Sequence, residues 1–358
     1  MTDKLNATRR REPLTDAQLL MTISIGIFIF MYAAAMIFLG GAFLKVQQFI
    51  DLLNENAALI IISCALTIVM IGGGINISVG GVIGLTCMAC ALFLNAHAGG
   101  LSVPLAFLLA LGIGLAFGAG MGFLVSYLEI QPFIVSLAGM FLARGLTTIL
   151  SVNPVNVDHE GFEALVKAKI KIPFLGYVAP NGNLIPAKVE IGAVVALLIV
   201  ILMYVLLRYV RLGRNIYALG GNQQSALMLG ITVRHTRFMS YVISGVLSGL
   251  AGFVFLMHKP AGNASVAMRS EMDAIASSII GGTLLTGGVG NVIGTFFGVM
   301  ILATIQKIIG LSPLKESYWQ DMTSGAMLGF FIILQSVVLS ARGKGGLRLP
   351  PWLRFSKS

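Results

Sequence analysis

The residues of this chain that bear on chemistry are few and mostly neutral. Four histidines (His97, His159, His235 and His258) lie scattered along 358 residues, with no companions at metal-ligand spacing. Cys87 and Cys90 make a lone Cys-x-x-Cys, and Cys64 stands apart; all three sit in apolar stretches. A redox role needs an accessible, stabilised thiolate, so two small packing residues are the simpler reading, and no disulfide framework is implied. The chain has no GxxxxGK[ST] phosphate loop, no HExxH, and no serine in a nucleophile elbow. It therefore carries no catalytic cluster and implies no cofactor or metal of its own. What remains is hydrogen-bonding chemistry without charge. Asn76 and Ser78 lie in one glycine-rich stretch, and Thr283, Thr286 and Asn291 in another. Arg144 is the one ionisable residue in the middle of an apolar run. It either bonds loop carbonyls, snorkels to an interface, or touches a polar solute.

The elements that position these residues belong to a membrane. The chain is 57% hydrophobic and 11% charged, with a mean hydropathy of +0.91. A soluble domain carries about 25% charged residues, so lipid must cover most of this surface. The 43 glycines suit close helix approach where no hydrophobic effect drives association. Apolar runs fall at 19–39, 57–71, 82–98, 102–127, 132–150, 191–208, 238–257, 273–287, 291–310 and 322–340. A helix needs about 20 residues to cross a bilayer, so the expected fold is all-α and polytopic, with about ten transmembrane helices spread over 19–340. The second, third, eighth and ninth runs are short and glycine-broken, and two of them are candidates for half-helices. Lys4, Arg9, Arg10 and Arg11 precede a first run too long for a signal-peptide core, so it is read as a retained span.

Orientation follows from lysine and arginine. With the 1–18 tail in the cytoplasm and each run crossing once, the inner segments, including the 341–358 tail, hold 14 of the 24 Lys and Arg. The net charge of +10 thus reflects membrane topology and implies lipid as the partner, with no basic domain for nucleic acid. The outer 151–190 loop holds Lys167, Lys169, Lys171 and Lys188, balanced by four acids, and is long enough for a small external lid.

Two stretches echo one another. IGGGINISVGGVIGL (71–85) and IGGTLLTGGVGNVIGT (280–295) both open on Ile-Gly-Gly and close on Val-Ile-Gly. They suggest two pseudo-repeated halves. Interrupted helices free backbone groups that hydrocarbon cannot satisfy, and at matching places in two halves they point to a transport site; the bland alternative is tight packing alone. The inner segment 211–237 reads RLGRNIYALGGNQQSALMLGITVRHTR. Gly220 and Gly221 are expected to break the chain, Asn222 to cap a helix of about two turns from Gln223, and Gly230 to end it. Such a helix is too short to stand alone. With no Lys or Arg over 222–230 it is a poor interfacial helix, and its Ala226, Leu227 and Leu229 ask for a partner.

These segments, in this order, resemble the permease subunits of bacterial monosaccharide ABC importers, the ribose type, over nearly all of 19–340. GGGINISVGG (72–81) is similar to the family's Gly-Gly-Ile-Asp-Leu-Ser-Val-Gly stretch, with Asn76 where an acid is usual. GRNIYALGGNQQSALMLGI (213–231) matches the segment that docks on the ATPase, and EMDAIASSIIGGTLLTGGVGNVIGT (271–295) is the third landmark. LAGMFLARG (137–145), the long 151–190 loop and the residues around Trp319 most resemble galactofuranose-import permeases. The resemblance implies a core related to vitamin-B12-type importers. It implies an ATPase subunit that binds ATP and Mg, a second permease chain of similar but different sequence, a periplasmic sugar-binding protein, and a place in the bacterial inner membrane. It implies ATPase coupling through Gly220, Gly221, Asn222, Gln223, Ala226 and Gly230. The pathway residues expected from it are Asn76, Ser78, Arg144, Thr283, Thr286 and Asn291, with Phe133 and Phe141 as an apolar gate. Glu271 and Asp273 are expected to meet the binding protein or to be solvated helix-end acids. A stand-alone transporter or facilitator and a membrane-embedded enzyme are the competing classes. The missing acid relay disfavours ion coupling, and the missing nucleophile and metal disfavour an enzyme.

Overall fold

The computed structural model describes residues 16–341 apart from 41–42, 44, 98, 179–183 and 312–316. The tails 1–15 and 342–358, with most of the expected basic ends, lie outside the described residues. Each of the ten apolar runs forms a helix. Hydrocarbon leaves backbone groups no other partner, and most runs are long enough to close an i→i+4 ladder across it. The chain opens with α1 (Asp16–Leu39), then α2 (Val46–Glu55) and α3 (Ala57–Ile71), an apolar pair bent by 59° at its break. α4 (Val79–Ala96), α5 (Ser102–Ser126) and α6 (Pro132–Leu150) complete the first half. After the 151–190 loop come α8 (Ile191–Tyr209), then α9 (Arg211–Gly221), α10 (Gln223–Met228) and α11 (Val233–His258). α12 (Ser270–Ile280), α13 (Val292–Leu311) and α14 (Ser317–Ala341) close the fold. Among the described residues, seven helices are each long and apolar enough to cross a membrane, or eight with the bent pair. The 273–287 run yields only the 11-residue α12, about 16 Å long at 1.5 Å per residue. It is one of the half-helices the glycine breaks foretold.

The loop 151–190 is structured. α7 (Glu160–Lys167) is followed by the hairpin β2 (Ile170–Val178) and β3 (Leu184–Val189), while β1 (Val155–Asn156) pairs with β4 (Ala261–Gly262). These two small sheets are the departure from an all-helical chain. Asn54 ties the hairpin to the bundle, donating to the Lys188 carbonyl at 3.1 Å and accepting from the Glu190 N–H at 3.0 Å. Glu190 bonds Lys169 at 2.9 Å and His258 at 2.8 Å. Burial alone would raise its carboxyl, but those two bonds hold it below its ordinary value.

The core is organised by backbone contact. α11 crosses α5 where Gly245 and Gly249 meet Ala110, Gly114 and Gly118. A Cβ on Gly245 would overlap the Gly114 carbonyl, and one on Gly118 would lie 2.9 Å from the Gly245 Cα. This is the small-xxx-small solution to helix association in lipid. Cys87 and Cys90 are buried free thiols packed beside Ala91 and Ala106, as their apolar setting suggested. α3 meets α13 and α12 through hydroxyls: Thr67 Oγ1 lies 2.7 Å from Thr295 Oγ1 of α13 and 3.1 Å from Ser278 Oγ of α12. Gly245→Val should abolish a monodisperse protein in detergent, since backbone cannot yield as a side chain does and the cost exceeds the about 1–3 kcal/mol of ordinary overpacking. Gly112→Val, where nothing lies within 4 Å, should behave as wild type in the same size-exclusion measurement.

Candidate functional site

The segment between α8 and α11 folds as two short helices. α9 was not foreseen, although Leu212, Ile216 and Leu219 recur at helical spacing; Ile216 and Leu219 are buried. Gly220 and Gly221 do not break the chain but form the last turn of α9. The break falls one residue later, at Asn222, whose extended backbone (φ −158°, ψ 109°) lets its side chain accept from the Ser225 N–H at 2.9 Å. α10 ends as expected. Gly230 takes a positive φ of 76°, its N–H bonds the Leu227 carbonyl at 3.0 Å, and the Ile231 N–H bonds the Ala226 carbonyl at 3.1 Å. That is the paired closure of a glycine-ended helix. Gln223 accepts from Arg237 of α11 at 2.9 Å, anchoring the short helix to its successor. Ala226 points inward and is 1% exposed, whereas Met228 and Leu229 are 89% and 77% exposed. The outward apolar face is therefore Leu227, Met228 and Leu229, and Met228 was missed because only the structure shows which way a six-residue helix turns.

The two glycine echoes are the same device used twice. After α3, the Gly73 N–H bonds Met70 O at 2.9 Å and Gly74 N–H bonds Val69 O at 3.0 Å. After α12, the Gly282 N–H bonds Ile279 O at 2.8 Å and Thr283 N–H bonds Ser278 O at 3.0 Å. Gly73 and Gly282 have φ of 78° and 92°. Each break then uses an asparagine to restart the chain. Asn76 Oδ1 accepts from the Ser78 N–H at 3.2 Å, and Asn291 Oδ1 accepts from the Ile293 N–H at 2.9 Å. Both breaks lie at the α10 end of the bundle, where the Gly288 N–H donates to the Ile71 carbonyl at 2.8 Å. Among the described residues no group of three or more His, Cys, Asp or Glu is placed to hold a metal.

A capped helix with an outward apolar face thus lies beside two matched breaks in apolar helices. The family model described as "branched-chain amino acid transport system / permease component" matches residues 48–333. The chain belongs to that permease family. It is 39% identical over 315 residues to the inner membrane ABC transporter permease protein YjfF of Escherichia coli (strain K12), spanning 88% of this chain and 91% of that one. It is 31% identical over 334 residues to the fructose import permease protein FruG of Bifidobacterium longum (strain NCC 2705), spanning 92% and 94%. It is 30% identical over 336 residues to the ribose import permease protein RbsC of Bacillus subtilis (strain 168), spanning 93% and 98%. No solved structure matches the chain. The protein is thus a multi-pass helical membrane transport component.

The permease places several expected residues differently from the sequence reading. Asn76 and Ser78 are closed off from solvent: Asn76 Nδ2 donates to Ser244 Oγ at 3.0 Å, and Ser78 Oγ donates to Asn76 Oδ1 at 2.7 Å. They build the break and expose no surface to a solute in this conformation. Thr283 is equally buried, its hydroxyl without a hydrogen-bond partner, while Thr286 is exposed on the turn and Asn291 is half-buried, reaching Met21 Sδ at 3.2 Å. Phe133 and Phe141 are 47% and 63% exposed on the outward surface of α6. Arg144 has a partner within the chain that the sequence reading did not weigh. Its Nη2 pairs with Glu271 Oε1 at 3.1 Å across 127 residues. Glu271 is 7% exposed and occupies the space a Cβ would take on Gly80, so it is unavailable to a protein partner. Asp273 is half-buried and accepts from Gln306 and Ser324. The ion pair had no sequence signal, because nothing local links residues so far apart.

Two outcomes follow from this geometry. Met228→Glu should leave the permease folded but cut its co-purification with an ATPase partner about tenfold or more, since a charge replaces an apolar contact. Removing one member of a fully buried ion pair costs about 3–5 kcal/mol, and this part-buried pair should cost less. Arg144→Gln or Glu271→Gln alone should therefore lower the thermal unfolding midpoint in detergent, and the double Gln variant should recover most of the loss. A double variant whose loss is the sum of the two single losses would show the pair to be uncoupled.

Proposed function

We propose that this chain is the permease subunit of an ATP-driven ABC importer that passes a monosaccharide into the bacterial cytoplasm through the inner membrane. The observation that carries the reading is α10: six residues, capped at both ends, seated through Ala226, and offering Leu227, Met228 and Leu229 to the outside. No six-residue helix is stable by itself, and an exposed apolar face on one implies a partner cleft. The partner is a separate ATPase that binds ATP and Mg. With α10 facing the cytoplasm, both termini lie inside and the α7 and β2–β3 lid lies outside, where a periplasmic binding protein delivers the cargo.

The cargo class draws on the relatives, whose names include ribose, fructose and xylose import. The site chemistry supports a neutral solute. Arg144 and Glu271 neutralise each other, leaving no free charge pair there to meet the amine and carboxylate of an amino acid. The resemblance around 137–145 and Trp319 favours galactofuranose among sugars. The pathway is proposed to run past the exposed face of α6, where Phe133 and Phe141 would gate against a second, similar permease chain. Thr286 and Asn291 flank it at the α10 end, and Asn76, Ser78 and Thr283 support it from behind.

The test is uptake. Proteoliposomes holding the chain with its ATPase, second permease and binding protein are supplied with labelled galactofuranose, ribose, xylose, fructose or leucine. The expected result is ATP-dependent accumulation of galactofuranose in preference to the others. Uptake of leucine alone would overturn the sugar assignment. Uptake by this chain by itself, indifferent to ATP, would identify a facilitator instead.

A further inference from the structure

We propose that Tyr217 and Gly288 are positioning residues that transmit displacement of α10 to both membrane helix breaks; the proposal rests on the importer reading above and goes on to say how its ATPase and pathway are joined. The connection begins in α9. Only Asn222 separates α9 from α10, and helical bonds run through it, from Asn222 N–H to Ala218 O at 3.2 Å and from Ala226 N–H to Asn222 O at 3.0 Å. A load on α10 therefore reaches the end of α9 with little slack.

At that end three backbones touch with no side chain between them. A Cβ on Gly220 would overlap the Ile71 carbonyl at the end of α3 and lie 2.5 Å from the Gly288 nitrogen. One on Gly288 would lie 2.8 Å from the Gly221 Cα, and one on Gly287 would lie 2.9 Å from the Gly73 Cα and 3.0 Å from the Gly220 carbonyl oxygen. Side chains absorb movement by changing rotamer; backbone in direct contact has no such freedom. Two hydrogen bonds stitch the junction. Gly288 N–H to Ile71 O joins the second break to the first. Tyr217 Oη donates to the Gly290 carbonyl at 2.8 Å and joins α9 to the second break. Burial pushes the Tyr217 phenol up to about 12, so it stays a donor through the working pH range. Gly287 and Gly288 hold φ of 86° and 76°, a region that other residues enter at a cost.

The three native cysteines are buried, so a single introduced thiol reports without interference. Leu285→Cys on the exposed turn of the second break is labelled with a maleimide in the nanodisc-held complex with its ATPase, with and without ATP and vanadate. The labelling rate should change about tenfold on trapping. Adding Tyr217→Phe, which deletes one hydroxyl, should shrink that change below about twofold, while ATPase co-purification and ATP hydrolysis stay near wild type. Gly288→Ala should do the same; if it does not fold, Tyr217→Phe decides alone. An undiminished change in Tyr217→Phe overturns the proposal. So does loss of ATPase binding in step with the labelling change, because Tyr217 would then only hold up the docking helix. So does a hydrolysing parent complex whose labelling never responds to ATP. A parent chain that recruits no ATPase overturns the importer reading itself, on a separate readout.

Discussion

In hydrocarbon, each backbone N–H and C=O must find its partner within the protein, and the two places where this chain breaks its helices are where that demand is hardest to meet. The donors are satisfied locally, by the glycine closures at Gly73 and Gly282 and the asparagine restarts at Asn76 and Asn291. The carbonyls are satisfied at long range. Ile71 O takes the Gly288 N–H, Ile75 O takes the Tyr241 hydroxyl at 3.0 Å, and Gly290 O takes Tyr217. At the end of the half-helix, Ile280 O takes Ser24 of α1 at 2.6 Å and Ile279 O takes Gln335 of α14 at 2.5 Å. Thus α1, α9, α11 and α14 are fixed in place partly by the carbonyls they cover. The breaks do not interrupt the fold; they recruit its other elements.

The same accounting explains the residue that departs from its family pattern. The resemblance drawn from the sequence leads one to expect an acid where Asn76 stands. Its amide accepts two bonds from Ser78 and donates one to Ser244. An ionised aspartate accepts only, so an asparagine supplies a donor an aspartate lacks and buries no charge. The charge that is buried, Glu271, is tolerated because half-buried Arg144 pairs with it and Gly80 makes room for the carboxylate. Substituting a larger residue for Gly80 would strike Glu271 first, although nothing in the sequence near Gly80 announces an acid.

What was legible in the sequence follows the range of the forces involved. Hydropathy is local, so all ten apolar runs were found. Caps are local, so Asn222 and Gly230 could be placed before the helix between them was seen. The need for a break is local too, since Ile-Gly-Gly and Val-Ile-Gly recur at matching points. Facing is not local. The inward turn of Ala226 and the outward turn of Met228 depend on how α10 leans on α11, through Arg237 and Gln223. Gly220 and Gly221 read as a break because glycine so often ends helices, yet here they continue one: Gly220 lacks a side chain because Ile71 and Gly288 occupy the space. The two uses of glycine are indistinguishable until the third dimension is known.

Facing also bears on where a solute can pass. Asn76, Ser78 and Thr283, the neutral polar residues nearest the breaks, are enclosed within the chain. α6 turns Phe133, Phe141, Leu142 and Ile149 outward, yet its other side is locked to α12 by Arg144 and packed on α4, where a Cβ on Gly81 would lie 2.9 Å from the Met140 carbonyl oxygen. A helix held firmly on one side and bare on the other is suited to line a path that its own chain does not enclose. On the proposed reading the chain supplies one wall and the contacts through which a separate ATPase would move it. If the opposite wall is a second permease, as proposed above, the lumen would open and close by displacement of whole helices, leaving the buried polar seam intact. The covalent continuity from α12 through the glycine turn to α13 then matters most, because it lets movement delivered at one end of the bundle reach a helix pinned to α6 near its other end.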